Sequence, residues 1–431
     1  MIGKQFSLHS ALITLLIILL ISGTAPAQSE TGVPFLLTHP SPHLNGMAGA
    51  FTALPTTDPH GQFFNPAQLG NFGREKNFSI QFFTPATKWL PNYSFSDLKF
   101  SSTACAIGYN LQNYHASLPL SIGIGIVKTN YDLGNNAWTN SRGEILGYFD
   151  SEEYYTAYSI GASLDYGVKF NIGYTFKKIT SKISPLEVTV GNETGDAKAE
   201  GNAHDFGIQV VVPVISIIDK RNNKETLLWG KFKPKTDLSL GYSLLNTGDQ
   251  IYYINPRLAD PLPKSAQIGL AITLGLDMPI RETVFSVIKL DLSTEARDLL
   301  IERSTDSLGT GKYISSPGKI NFWKNVLQGE STDQIAVYKG WRIQIGEFIE
   351  LSYGEISGES RFDNGISTSG YRISSRGLLK FINMYTDNPV VSYMAEHIEV
   401  SYAYSSYKST NDSHPYSRTK FKGITISIFG Y

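Results

Sequence analysis

The chain has 431 residues with 37 Lys and Arg against 38 Asp and Glu, 41% apolar and 17% charged residues, 39 Gly and one Cys. A lone cysteine excludes an internally stapled secreted scaffold, and a formal charge of −1 leaves no broad basic surface, so nucleic acid is not an expected partner. Two or three soluble domains fit the length, but 24 Tyr and 23 Phe with so few charges suit a large β-barrel equally well.

Lys4 precedes an apolar run from Ala11 to Ile21, then Gly23 and the small residues Ala25-Pro26-Ala27. The run is much shorter than the ~20 residues a spanning helix needs, so residues 1–27 read as a secretory signal peptide. No Cys follows the small residues, which closes the lipoprotein route.

Residues 28–76 are rich in small side chains and lack a strand period. Such a segment in front of a barrel is either a periplasmic tail or a plug folded into the lumen. Gly46 and Gly49 permit close backbone packing, and Asn65 before Pro66 suits a capped helix start, which favours an internal hatch.

From Phe78 onward the dominant period is two. Apolar side chains alternate with Ser, Gly, Lys, Asn and Thr in Leu118–Ile126, Tyr158–Leu164, Val168–Phe176, Phe206–Val212, Leu238–Leu244, Ile268–Leu274, Ile288–Leu292, Ile349–Tyr353 and Ile398–Tyr404. The segments run for roughly 9 to 14 residues, longer than the usual ~5 to 6 of soluble strands and suited to tilted strands crossing a bilayer. A soluble sandwich alternates too, so the pattern alone does not separate inside from outside.

Two features favour the barrel. Asp165-Tyr166-Gly167 is a short turn between two long strands, and Ile424–Tyr431 ends the chain inside a strand on an aromatic residue, with a register shift at Ile428/Phe429 that calls for a bulge. Less regular candidates at Asn77–Thr84, Tyr93–Phe100, Ser102–Asn110, Gly370–Ile382 and Arg418–Phe429 bring the expectation to about 14 antiparallel strands over residues 77–431, an all-β transmembrane barrel. The longer connections, near Tyr131–Ser151, Ser184–Glu200, Ser216–Thr236, Gln250–Pro263 and Thr294–Ile335, are expected on the extracellular side, with a short helix at Ala296–Leu300.

Signals for catalysis are weak, and no enzyme activity, cofactor or metal site is expected. His204-Asp205 has no Gly-x-Ser-x-Gly elbow and reads as a lumen hydrogen-bond pair. Gly309-Thr310-Gly311-Lys312 lacks the first Gly of a phosphate loop, where Asp306 stands, and has Tyr313 in place of Ser or Thr. Cys105, between Ala104 and Ala106, reads as a small wall residue. Tyr154, Tyr155, Tyr252, Tyr253, Trp89, Trp138 and Trp341 sit near strand ends and are expected in aromatic girdles; Leu227-Leu228-Trp229 reads as an exposed contact for a partner or ligand.

The hatch region carries a resemblance. Phe35-Leu36-Leu37, Gly46-Met47-Ala48-Gly49-Ala50-Phe51, Ala53, Asp58 and Asn65-Pro66-Ala67-Gln68-Leu69 resemble the N-terminal signature of the PorV/PorQ family, outer-membrane proteins related to the FadL fatty-acid transporter. Ala203–Gly207, Asn246-Thr247-Gly248 and Leu262-Pro263-Lys264 extend the likeness across most of the chain; His43-Leu44-Asn45 and Gln68 depart from it. The resemblance implies a FadL-like barrel in the bacterial outer membrane and a part in type IX secretion. Its partners would be outer-membrane lipid, secreted proteins with C-terminal sorting domains, and attachment subunits. Its hatch motif would be Gly46, Met47, Gly49, Ala50, Asn65, Pro66 and Ala67.

Docking of cargo on the extracellular loops is the main expectation, and a FadL-like transporter of hydrophobic molecules the alternative. A transporter needs a continuous apolar groove near the hatch, whereas the inward faces read as mostly Ser, Gly, Lys and Asn, which leans toward docking. A third reading is a purely structural or adhesive barrel.

Overall fold

Small and apolar residues in alternation give most of the long segments one face able to press against a backbone and one face that must leave water. A computed structural model describes residues 31–92, 97–113, 118–190, 193–280, 283–303, 311–359, 362–386, 388–412 and 414–430. The signal peptide read at 1–27 lies outside the described residues.

The strands are β1 Phe78–Phe83, β2 Lys99–Asn110, β3 Leu120–Thr139, β4 Ile145–Asp165, β5 Lys169–Val190, β6 Glu193–Pro213 and β7 Lys233–Gly248. They continue as β8 Ser265–Ile280, β9 Thr283–Leu299, β10 Ile335–Ile345, β11 Ile349–Gly358, β12 Phe362–Ser374, β13 Ile398–Ser409 and β14 Lys420–Ile428. Each pairs antiparallel with its neighbours in sequence, and β1 closes the cylinder by pairing with both β2 and β14, Phe78 standing opposite Ile107 and Ile428. The helices are α1 Gly61–Phe64 and α2 Gln68–Glu75 before the barrel, α3 Val214–Asn222, and the pair α4 Ser375–Asn383 and α5 Pro389–His397.

The apolar faces point outward. Ile124, Ile160, Ile172, Ile208, Leu240, Leu274, Leu292, Leu351, Ile373 and Val400 are exposed on successive strands, while their sequence neighbours Gly123, Gly161, Gly173, Gly207, Gly241 and Thr273 face the lumen and are covered. Such a belt around a closed cylinder far exceeds the few hundred Å² of apolar patch that a water-soluble monomer exposes. The chain is a 14-strand barrel of the bacterial outer membrane. The short turns at 166–168 and 346–348, and the end of β14, mark the periplasmic rim.

Several sequence expectations need correction. Of the Tyr93–Phe100 candidate, residues 93–96 lie outside the described residues, and its end is not separate from Ser102–Asn110, because β2 runs unbroken from Lys99 to Asn110. Conversely β10 was not expected: its lumen face carries Tyr338 and Arg342 and its outer face Lys339, which breaks the hydropathy alternation. These two errors cancel in the count. The Gly370–Ile382 candidate ends at Ser374, whose hydroxyl accepts from the Arg376 N–H at 3.2 Å and starts α4. Ala296–Leu300 is not helical: Ala296 to Leu299 continue β9.

Tyr131–Ser151 and Ser184–Glu200 are mostly strand. Bulges at Asp132/Asn135 and Lys182/Ser184 absorb the turn-like residues, so the hairpins β3–β4 and β5–β6 project beyond the extracellular rim. Ser216–Thr236 lies instead at the periplasmic end, beside the turn 166–168, since it joins the end of β6 to the start of β7. No bulge is needed at Ile428/Phe429, because β14 ends there. Phe429 turns in, its N–H donating to the His397 carbonyl at 3.0 Å and its ring lying under Arg376 at 3.7 Å.

Candidate functional site: a lumen divided by residues 31–76

Residues 31–76 lie inside the barrel and run from its extracellular end, where the Gly32 N–H donates to Pro261 O at 2.9 Å, to the periplasmic end, where Lys76 leads into β1. They are held by backbone approach to lumen-facing glycines. A Cβ on Gly161 would come within 2.8 Å of the Leu69 Cβ and 2.9 Å of Pro66 O; on Gly354, within 2.5 Å of the Met47 carbonyl carbon and 2.6 Å of the Ala48 N. Gly123, Gly173, Gly207, Gly241, Gly340, Gly370 and Gly423 meet the same segment in the same way. The wall thus presents a ring of bare backbone, and only glycine leaves the necessary space.

Within this ring Gly46 and Met47 abut β10, β11 and β12, and Gly49, at φ 76, packs against His39 and Phe64. Ala50 is fully covered. Asn65 carries the densest bonding: its Nδ2 donates to Thr52 O at 2.8 Å and to Ile208 O in the wall at 3.1 Å, and its Oδ1 accepts from the Ala67 N–H at 3.0 Å. Pro66 stands over Gly173; α2 begins at Gln68 rather than at Pro66, with Ala67 at its N-cap position and no side chain capping it, so Asn65 bonds the Ala67 N–H ahead of the helix instead of capping it.

Below the ring lies a charged chamber of about 410 Å³, open toward the periplasm. His43 bridges Asp58, at 3.1 Å, and Glu350. Asp58 also accepts from the His60 N–H at 2.9 Å and from Gln81 Nε2 at 2.8 Å. Arg342 pairs with Asp291 at 2.8 Å, and Glu399 takes both Arg372 and Lys76, the latter at 3.3 Å. Burial alone would raise the Asp58 carboxyl, but hydrogen bonds from His43 and His60 outweigh it and hold the group well below the carboxylate range. Burial works to lower His43, and the Glu350 charge with the bonds to Asp58 and Glu350 raises it on balance. The charges named here are paired, and the chamber they line suits polar solutes and disfavours apolar ones.

Above the ring the lumen is aromatic and packed. Phe35 sits between Tyr131, at 5.6 Å, and Tyr155, at 6.2 Å, while Trp89, Phe100, Tyr407 and Phe421 pack against one another beside Tyr131. A residual cavity of about 40 Å³ is lined by Pro34, Leu37, Trp89, Tyr338, Ile356, Ile366 and Tyr407, with Arg297 over the Tyr338 ring at 4.9 Å. That is room for a water molecule or two, well short of a typical ligand site.

The aromatic chamber overturns the expectation of mostly Ser, Gly, Lys and Asn on the inward faces, and below the ring the wall adds Asp291, Arg342, Glu350, Arg372 and Glu399; the expectation holds best at the ring itself. Trp89, Tyr155 and Tyr253 likewise leave the expected girdle: the first two are buried in the lumen, and the Tyr253 hydroxyl bonds Ser181 at 2.8 Å. Trp341 does face outward, and Trp138 and Tyr252 are exposed. The missed signal was a bulky aromatic at inward parity in the extracellular half of strand after strand: Phe100, Tyr131, Tyr155, Tyr338, Tyr407, Phe421.

The His204-Asp205 pair separates. Asp205 meets Lys177 at 2.8 Å in the lumen and accepts from the Asn246 N–H at 2.7 Å, across a bulge where Asn246 takes φ 55; His204 faces outward to the Tyr174 hydroxyl at 2.6 Å. Gly311–Tyr313 pairs with Ile301–Arg303, and Gly309 and Thr310 lie outside the described residues. Cys105 is a half-buried outer-face residue of β2.

No protein-family model matches the sequence, and no curated protein matches it. Among solved structures it is similar to the toluene transporter TbuX of Ralstonia pickettii, at 12% identity and a TM-score of 0.41 over 90% of this chain and 98% of that one. It is also similar to the toluene transporter TodX of Pseudomonas putida (11%, 0.38, 91% and 97%). A FadL homologue of Pseudomonas aeruginosa gives 9%, 0.35, 91% and 98%. The fold assignment rests on the strand pairing of this chain itself.

Proposed function

We propose that the protein is a non-enzymatic outer-membrane carrier that takes hydrophobic small molecules into its upper chamber, in the manner of FadL-like transporters. One observation carries the reading: the extracellular half of the lumen is lined by aromatic rings, and the chain's own Pro34–Leu37 turn seats the buried Phe35 among them as an apolar ligand would be seated, with Pro34 left exposed. A water-conducting pore has no use for that lining, and a merely structural barrel does not need its plug seated in an aromatic box. Displacement of Phe35 by an incoming solute exchanges one apolar occupant for another at little cost in buried area. The test is binding of a fluorescent fatty acid and of a small aromatic hydrocarbon to the purified barrel, followed by uptake into proteoliposomes. Saturable binding that excess unlabelled fatty acid competes away supports the carrier; absence of binding to both probes removes it.

A second reading has its own observation. The β3–β4 hairpin projects beyond the membrane and exposes Trp138, Ile145, Leu146 and Tyr148 near its tip, an apolar surface fit for docking secreted cargo in a PorV/PorQ-type role in type IX secretion. Affinity capture from the native envelope, with mass spectrometry of proteins and lipids, separates the two. Cargo sharing a C-terminal domain favours docking; bound lipid without protein favours the carrier.

A further inference from the structure

Periplasmic connections of such barrels are short, yet the one between β6 and β7 is long and unusually decorated. It leaves the rim as α3 and then makes a tight turn in which Leu228 and Phe232 exchange backbone hydrogen bonds of 2.8 and 3.0 Å. At the apex Trp229 takes φ 49 and Gly230 φ 68, and the indole is 80% exposed. A bulky residue in the left-handed region is strained, and strain kept at a tip that buries nothing points to a role outside the chain. Ile217, Ile218, Leu227 and Leu228 are exposed beside it.

The charge of the segment departs from that of the molecule. Residues 214–233 hold the cations Lys220, Arg221, Lys224, Lys231 and Lys233 against Asp219 and Glu225, in a chain of formal charge −1. Lys233 pairs with Glu225 at 3.1 Å; among the described residues the other four cations have no ion-pair partner. The segment is also continuous with the lipid-facing wall. Val212 precedes α3 on the outward face of β6, and Leu238 and Leu240 follow on the outward face of β7.

We propose that residues 214–233 bind the anionic phospholipids of the inner leaflet of the outer membrane, with Trp229 and the neighbouring aliphatic side chains entering the headgroup and acyl boundary. Lys220, Arg221, Lys224 and Lys231 hold the phosphates. Exposed apolar residues flanked by unpaired cations, at the edge of an established lipid interface, match that surface in both hydrophobicity and charge. A protein partner would have no reason to begin where the lipid belt ends.

The test uses the full barrel in nanodiscs of phosphatidylcholine with or without phosphatidylglycerol. The Trp229 signal, taken as the difference between wild type and Trp229→Phe, is quenched by brominated acyl chains. In native mass spectrometry the wild type retains phosphatidylglycerol over phosphatidylcholine by more than about tenfold, given roughly 1 kcal/mol per cation near such a surface. Replacing Lys220, Arg221, Lys224 and Lys231 by Gln brings that ratio close to parity. Heat-modifiable gel mobility shows that each variant is folded, and a single Lys231→Gln variant, with a smaller loss, serves if the quadruple one is not. An unquenched Trp229, or an unchanged lipid ratio in folded variants, overturns the proposal and points to a periplasmic protein partner.

Discussion

The two halves of the lumen are built by opposite means. Above the glycine ring, aromatic side chains from the wall close on the Pro34–Leu37 turn, and exclusion of water does the holding. Below it, His43, Asp58, Arg342, Glu350, Arg372 and Glu399 form a paired network open to solvent. The upper contact can be exchanged for any apolar body of suitable size. The lower one is specific in geometry and costly to break singly. Residues 31–76 are therefore loosely specified at one end and tightly at the other.

The largest test of this contrast attacks the ring between the halves. Gly354→Val drives a side chain into the Met47 and Ala48 backbone, which cannot shift without unseating the segment. We expect a loss of more than about 3 kcal/mol and steady ion conductance across planar bilayers; a variant as silent as wild type would mean the ring is not what seats it. Phe35→Ala should cost about 3 kcal/mol in upper-chamber packing yet tighten binding of a hydrophobic probe, since the competing occupant is gone. Weaker probe binding would count against the carrier.

Asp58→Asn leaves His43 facing one carboxylate instead of two and should cost about 2 to 3 kcal/mol, read as trypsin sensitivity of residues 31–76, with probe binding unchanged. Asn65→Ala removes donors to Thr52 O and Ile208 O and the acceptor for the Ala67 N–H, for about 1 to 2 kcal/mol. The smallest effect is pH. His43 is raised above its ordinary 6.5, so its contribution is complete below that value and is lost as pH rises through the folded value. Proteolysis of the segment should accelerate as pH rises above the ordinary imidazole range, and His43→Gln should flatten the dependence.

Much of the wall was legible because it obeys one local rule. Period two along Val168–Phe176 or Phe206–Val212 gives strand, face and register together, since a slip by one residue would send Gly173 and Gly207 to lipid. The rule failed where an inward position is bulky. Tyr338 and Arg342 hid β10, and Trp89 and Tyr155 passed for girdle residues, because a bulky ring near a strand end reads as girdle even where, as at Tyr155, its parity points inward. Side of the membrane was legible for short turns and not for α3, whose place depends on which strands it joins. The charged chamber drew no sequence signal, since Asp58, Glu350 and Glu399 are remote in the chain and meet only when the cylinder closes.

That closure has a consequence for biogenesis. Residues 31–76 emerge before any strand, yet their seat includes Gly423 on β14, against Pro42, and the Gln81–Thr425 bond of 2.8 Å that joins the first strand to the last beside Asp58. No partial sheet offers the complete seat. The segment therefore gains its complete seat only when the final strand zips to the first, and the event that finishes the wall is the same one that corks it.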